Sequence, residues 1–396
     1  MADLVSIGRG RKSDDSDRKK TNKMIGIVAL FIVLGVGALV LLSYYFNNRC
    51  FYGYEVESAV KRSDSNNVNY MYYKKEMLKY SRSGISGLDT KGKSLWNGGY
   101  EMKQPQLDIC GDYIVTADVM GKQFYVYNGK DEGTSMETTL PIVRAKVAGQ
   151  GVVAALLQDS DSNVLSIYNP YGSTENLLVE IPTNVSEEGY PLDFDISPDG
   201  KSVVTSHMTI SGNTVENKVS FYNFTEVGQD KNTLVGGKSF GESMISAVEF
   251  VGDDEVAVFY ETGFRLFTRM KQPELLAEKD FGKEEEIRSM AYSDKYIGVV
   301  TETAGDNKKQ KLYLYNLKGK EELKRDISYD YAEMKIYGEE IVFYSNYNCY
   351  IMRTNGREKF NCEFEEEIDA IFPTENENLY TLIDASEIKT IKLSVS

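Results

Sequence analysis

A chain of 396 residues with 45 Lys/Arg against 60 Asp/Glu has a net charge of −15. That is a poor match to nucleic acid or anionic lipid headgroups, which require a basic footprint. One histidine and four scattered cysteines do not assemble a Cys/His metal cluster or a Ser–His–Asp triad, whereas 28 tyrosines and only 8 prolines suit a strand-rich fold.

Residues 1–23 hold seven Lys/Arg and four Asp without an apolar face and read as a disordered basic tail. From Met24 to Phe46 there is no charge. As a helix at about 1.5 Å per residue this stretch reaches across a bilayer core, so a single transmembrane helix is expected, with the membrane as its partner. Arg18, Lys19, Lys20 and Lys23 precede it and Arg49 alone follows closely. The positive-inside bias then puts the N-terminus in the cytoplasm and residues 47–396 outside the cell membrane, with Tyr44, Tyr45 and Phe46 forming an interfacial aromatic belt. A cleaved signal peptide is the alternative, but those bulky aromatics stand where small residues are needed for cleavage. The glycines at 26, 35 and 37 do not form a Gly-x-x-x-Gly dimerisation face.

The rest is strongly acidic, 38 Lys/Arg against 56 Asp/Glu, and repetitive. A short alternating strand, a Gly/Asp turn, an apolar strand, a variable hairpin and a strand ending near Tyr-Asn recur eight times. The second strands are at 77–81, 113–117, 152–157, 202–206, 256–260, 296–301, 341–345 and 379–383. Such a period predicts an all-β β-propeller of four-stranded blades, eight favoured over seven, spanning 69–396. The last unit stops after its third strand. Residues 47–68 are therefore either a juxtamembrane linker or, through 51–60, a strand that closes the ring and covers an aggregation-prone edge.

In the seventh unit Asn355-Gly356 predicts a two-residue type I′ hairpin loop, placing Thr354 opposite Arg357 and Cys349 opposite Cys362 in a close, non-hydrogen-bonded pair. A Cys349–Cys362 disulfide is expected there, and two buried thiols are the alternative. Cys50 and Cys110 have no evident partner in the sequence. His207 reads as a solvated loop residue. Asp159, Asp161 and Asn163 have the opening spacing of a calcium loop, but Val164 stands where glycine is required and no glutamate follows, so a plain turn is expected. No metal or cofactor site is indicated.

Aligning the innermost strands places Asp108, Lys146, Asp195, Glu249 and Lys335 at one equivalent position between apolar residues. The preferred reading is ion pairing between neighbouring blades; the functional one is a polar ring at the mouth of the channel.

Gly189-Tyr-Pro-Leu-Asp193, Ser197-Pro-Asp-Gly200, and Phe221-Tyr-Asn-Phe224 with Val227-Gly-Gln229 resemble hallmark stretches of the bacterial domain-of-unknown-function family numbered 5711. That resemblance implies a single-pass membrane protein with a propeller-like outer region and carries no functional residues with it. Residues 84–96 are similar to quinoprotein-type repeats, but Trp96 is the only tryptophan, so a quinone cofactor is not expected. A binding or scaffold module of the cell envelope, contacting a protein or glycan through one propeller face, is the leading expectation. An extracellular glycan hydrolase or lyase is the alternative.

Overall fold

The computed structural model describes residues 13–62, 68–130, 132–159, 162–172, 177–183, 189–225, 233–282, 284–303 and 309–395. The chain divides into two compact units, Met1–Cys50 and Phe51–Ser396.

Among the described residues the first unit contains one helix, Ser13–Asn47. Within it Lys23–Leu42 is long and apolar enough to cross a membrane, a property that a signal sequence would share. The helix starts ten residues ahead of that stretch, within the tail read above as disordered.

The second unit is an eight-bladed β-propeller. Eight antiparallel sheets of four strands follow one another along the chain, at 69–99, 105–137, 142–183, 190–241, 245–280, 285–327, 333–363 and 368–394. The last of these runs holds only three strands. Its fourth is Gly53–Lys61, which pairs antiparallel with Glu387–Ser394, Gly53 opposite Ser394 and Lys61 opposite Glu387.

There is no single core. Eight apolar clusters occupy the eight seams between successive blades. One joins Met77 and Leu88 of blade 1 to Phe372 and Ile383 of blade 8 and closes the ring. Each blade is therefore covered on both faces, which explains second strands that are apolar throughout instead of alternating. In Val256–Tyr260, Val256, Val258 and Tyr260 pack towards blade 4 while Ala257 and Phe259 pack towards blade 6.

Blade 7 corrects three local expectations. Only Gly356 has positive φ in the turn after Arg353, Gly356 N–H donates to the Arg353 carbonyl, and Arg353 N–H donates to the Arg357 carbonyl. This is a type I turn followed by a glycine bulge, so Thr354 lies within the loop and does not face Arg357. A second bulge, at Lys359, restores the register, and Cys349 still stands opposite Cys362. The pair is, however, of the hydrogen-bonded type. Asn361 N–H is given to the Phe51 carbonyl on the outer side of its strand, and the Asn348 carbonyl accepts from Ser345 on the other side. The main-chain groups of Cys349 and Cys362 therefore face each other, with Cα atoms expected about 5.5 Å apart.

His207 is also corrected. It lies in Ser202–Ser211, is fully buried, and its Nε2 is 2.7 Å from Thr205 Oγ1. Burial depresses its pKa to about 4. The strand extends four residues beyond the imidazole, so what reads as a loop is the middle of a long hairpin. Ser160 and Asp161 of the calcium-like turn, Val227-Gly-Gln229 and residues 1–12 lie outside the described residues.

Candidate functional site

The innermost strands line the channel, and their inner edges have no further strand to pair with. Alternation along them decides what fills that edge. In Pro105–Cys110, Leu107 and Ile109 pack into the seam with blade 1, so Asp108 points the other way, towards blade 3. Its Oδ2 accepts the Val147 N–H at 2.8 Å. Blade 4 repeats the device twice. Asp195 Oδ2 accepts the Phe250 N–H of blade 5 at 2.7 Å, and Asp193 Oδ2 accepts the Val248 N–H at 3.0 Å. These carboxylates satisfy edge amides that would otherwise be orphaned.

Lys146, at the same position of blade 3, is the hub. Its Nζ lies 3.1 Å from Glu249 Oε2, 3.4 Å from Asp108 Oδ1 and 3.7 Å from Asp195 Oδ1. One ammonium thus ties blades 2, 4 and 5 to blade 3. Burial opposes the Lys146 charge, but the three carboxylates outweigh it and hold the ammonium well above its usual range. For Asp195 burial dominates and raises the carboxyl well above the ordinary value, with Lys146 offsetting only part. Glu249 is raised for the same reason. Three carboxylates surround one cation, and four of the five aligned positions belong to this cluster. Lys335 does not: half-exposed, it pairs with Glu333 of its own strand.

One step along the same strands lies a second tier. Arg144 and Asp193 form an ion pair, with Asp193 buried and Arg144 partly exposed. They border a cavity of about 500 Å³ shared by blades 1 to 4 and lined by Met71, Gln106, Val143 and Leu192 among others. Val143 and Leu192 are there because of bulges. The pairing slips between Ile142 and Arg144 and again between Pro191 and Asp193, leaving one extra residue in each strand. A bulge of this kind re-aims a side chain. Neither the second tier nor its bulges were found by aligning the inner strands. The Asp-x-Asp spacing of 193 and 195 was a usable signal for the former.

The chain enters the propeller at the other face. Phe51 N–H donates to the Lys359 carbonyl, and Gly53 begins the closing strand beside Ser394. Lys359, the bulged residue, is buried and paired with Glu340, and its Nζ lies 5.2 Å from the Tyr380 ring centroid, across the seam to blade 8.

The profile of a family of unknown function, DUF5711, matches residues 47–393. The chain belongs to that family. No curated protein matches it. Among solved structures, BamB from Moraxella catarrhalis is similar at a TM-score of 0.50 and 11% identity, over 86% of this chain and 98% of that one. A eukaryotic initiation factor is similar at 0.51 and 13%, over 86% and 87%. At such identities the likeness is one of fold. In this member of DUF5711, the Gly189–Asp193 stretch that carries the family resemblance supplies Pro191, Leu192 and Asp193 to the cavity wall.

Proposed function

We propose that this chain is a membrane-anchored binding module of the cell envelope, its propeller outside the cytoplasm, recognising a protein or glycan partner through the face that bears the cavity. The observation that carries this reading is the pair of bulges that direct Val143 and Leu192 into a cavity already holding the Arg144–Asp193 pair. A concave site of mixed apolar and polar character is what a binding face requires. Around it Tyr190, Leu192 and Met244 are exposed, all at or beside the starts of innermost strands on that face. The anchor is the apolar stretch of the helix, and the cytoplasmic side of its N-terminus follows from the basic residues that precede it. The carboxylates that could serve acid–base chemistry are instead spent on Lys146 and on edge amides, which favours binding over the hydrolase or lyase reading.

The test is crosslinking in intact cells followed by capture of the full chain, comparing wild type with Leu192→Asp and Val143→Asp. A partner captured by wild type and lost from both variants, with melting unchanged, supports the face. Equal capture by all three counts against it. Turnover of a glycan by the purified chain would replace the binding reading with the enzymatic one. Labelling of engineered surface cysteines with a membrane-impermeant maleimide reports the side on which the propeller lies.

A further inference from the structure

We propose that Cys349 and Cys362 are a redox-closable pair: a cross-strand disulfide site that staples the outer hairpin of blade 7 beside the point where the chain enters the propeller. The structure carries all four cysteines as thiols. Cys349 and Cys362 are direct partners across Asn348–Arg353 and Glu358–Glu363. Residues directly opposed in an antiparallel pair point to the same face, and at a hydrogen-bonded pair the Cα separation of about 5.5 Å falls in the middle of the range that disulfides span. The two side chains also share surroundings, since Cys349 is wholly buried in the seam between blades 7 and 8 and Cys362 packs against the same cluster. They differ in access, because Cys362 keeps part of its surface in solvent.

That asymmetry sets the order of the chemistry. The Cys362 thiolate attacks the disulfide of an oxidant, such as a thiol-oxidising protein or oxidised glutathione. The oxidant's S–S bond breaks, a mixed disulfide forms, and one oxidant thiolate leaves. The Cys349 thiolate then attacks the Cys362 sulphur and expels the second oxidant thiolate. Two electrons and two protons pass to the oxidant, which becomes a dithiol or two thiols. Burial raises the pKa of both thiols, so closure is slow without a catalyst.

The location explains what the staple would do. The strand Glu358–Glu363 is the outermost of blade 7. Besides its bonds to Asn348–Arg353, it exchanges two main-chain hydrogen bonds with Phe51, from Phe51 N–H to the Lys359 carbonyl and from Asn361 N–H to the Phe51 carbonyl. Tension on the incoming chain therefore falls on an edge strand. A covalent link one residue beyond Asn361 holds that strand to the blade when its hydrogen bonds open.

Accessibility of the propeller to an oxidising compartment rests on the function proposed above, and two measurements separate the two readings. In the first, the purified full chain in detergent is incubated with oxidised glutathione, alkylated and mapped. A Cys349–Cys362 peptide, absent from Cys349→Ser, is the expected result. Persistent glutathione adducts on Cys362, or bonds from either residue to Cys50 or Cys110, would overturn the proposal. In the second, cells are quenched with an alkylating agent before lysis and the same peptide is sought. Closure in the purified chain but alkylated thiols in cells leaves the pair intact and counts against the extracytoplasmic location. Closure in both supports the two together.

Discussion

Lys146 reaches past the neighbouring blade to Glu249, with Nζ 3.1 Å from Oε2, so an ion pair joins the innermost strands of blades 3 and 5 inside the channel. Asp108 and Asp195 complete the ring around the same nitrogen. Replacing the ammonium leaves three carboxylates facing one another with little water. Lys146→Met is expected to cost about 3–5 kcal/mol, the range for removing one partner of a buried pair. Denaturant unfolding of the full chain measures it. Adding Asp195→Asn to Lys146→Met should recover part of the loss, because the second change removes a charge that the first left uncompensated. Additive losses would show that Asp195 does not interact with Lys146.

The same cluster predicts a pH dependence. Burial raises Asp195 well above its ordinary value of 3.8, so the native state holds this proton more tightly than the unfolded chain does. The stability it contributes is complete below the unfolded value and is lost as pH rises through the folded one. From about pH 4 upward, wild type should lose stability relative to Asp195→Asn, which has no proton to surrender. Parallel stability–pH curves for the two proteins would contradict this.

His207 has the opposite sign. Its value falls from 6.5 to about 4 because burial disfavours the imidazolium. The contribution to stability is present above the unfolded value and disappears as pH falls through the folded one. The difference is worth on the order of 3 kcal/mol. His207→Gln should flatten the stability profile between pH 6.5 and 4, measured as the denaturation midpoint at each pH. An unchanged acid slope would mean that other groups carry it.

Trp96 offers an optical test of packing. It lies opposite Gly87 in blade 1, where a Cβ on that glycine would come within 2.1 Å of the indole Nε1. The indole also stacks on Tyr127 of blade 2, with centroids 5.9 Å apart. Gly87→Ala must push the ring out of the seam, at a cost of about 1–3 kcal/mol. As Trp96 is the only tryptophan, its emission should shift to longer wavelength in the folded variant. Unchanged emission and midpoint would show that the ring yields without loss of packing.

How much of this could be read beforehand depends on the range of the interaction. The apolar second strands, the Gly/Asp turns and the eightfold spacing are local patterns, and each matches a blade observed at that place. The charged middle residues of the inner strands were also visible, because alternation sets them apart from the apolar residue on either side. What they bind was not. Asp108 and Asp195 spend one oxygen on a main-chain amide of the next blade, and no side-chain pattern announces an amide as partner. Lys335 sits at the same aligned position and stays half-exposed beside Glu333, so equivalence along a strand does not determine what stands across the channel.

From the sequence alone came the apolar helix and the blades, set by local periodicity; the opposition of Cys349 and Cys362 was read there from a turn of the wrong type, and it holds because the bulge at Lys359 offsets the longer loop. Tertiary structure decided where one extra residue could be placed in a strand. The bulges at Val143, Leu192 and Lys359 shape the cavity and bury a lysine, and the inner-strand bulge recurs at Ser246, Arg288 and Asp369. Burial of His207 was likewise decided there, since the polar sequence of a hairpin does not say how much of it the fold covers. The alternation of a strand is a local pattern; the environment of a side chain between two blades is not.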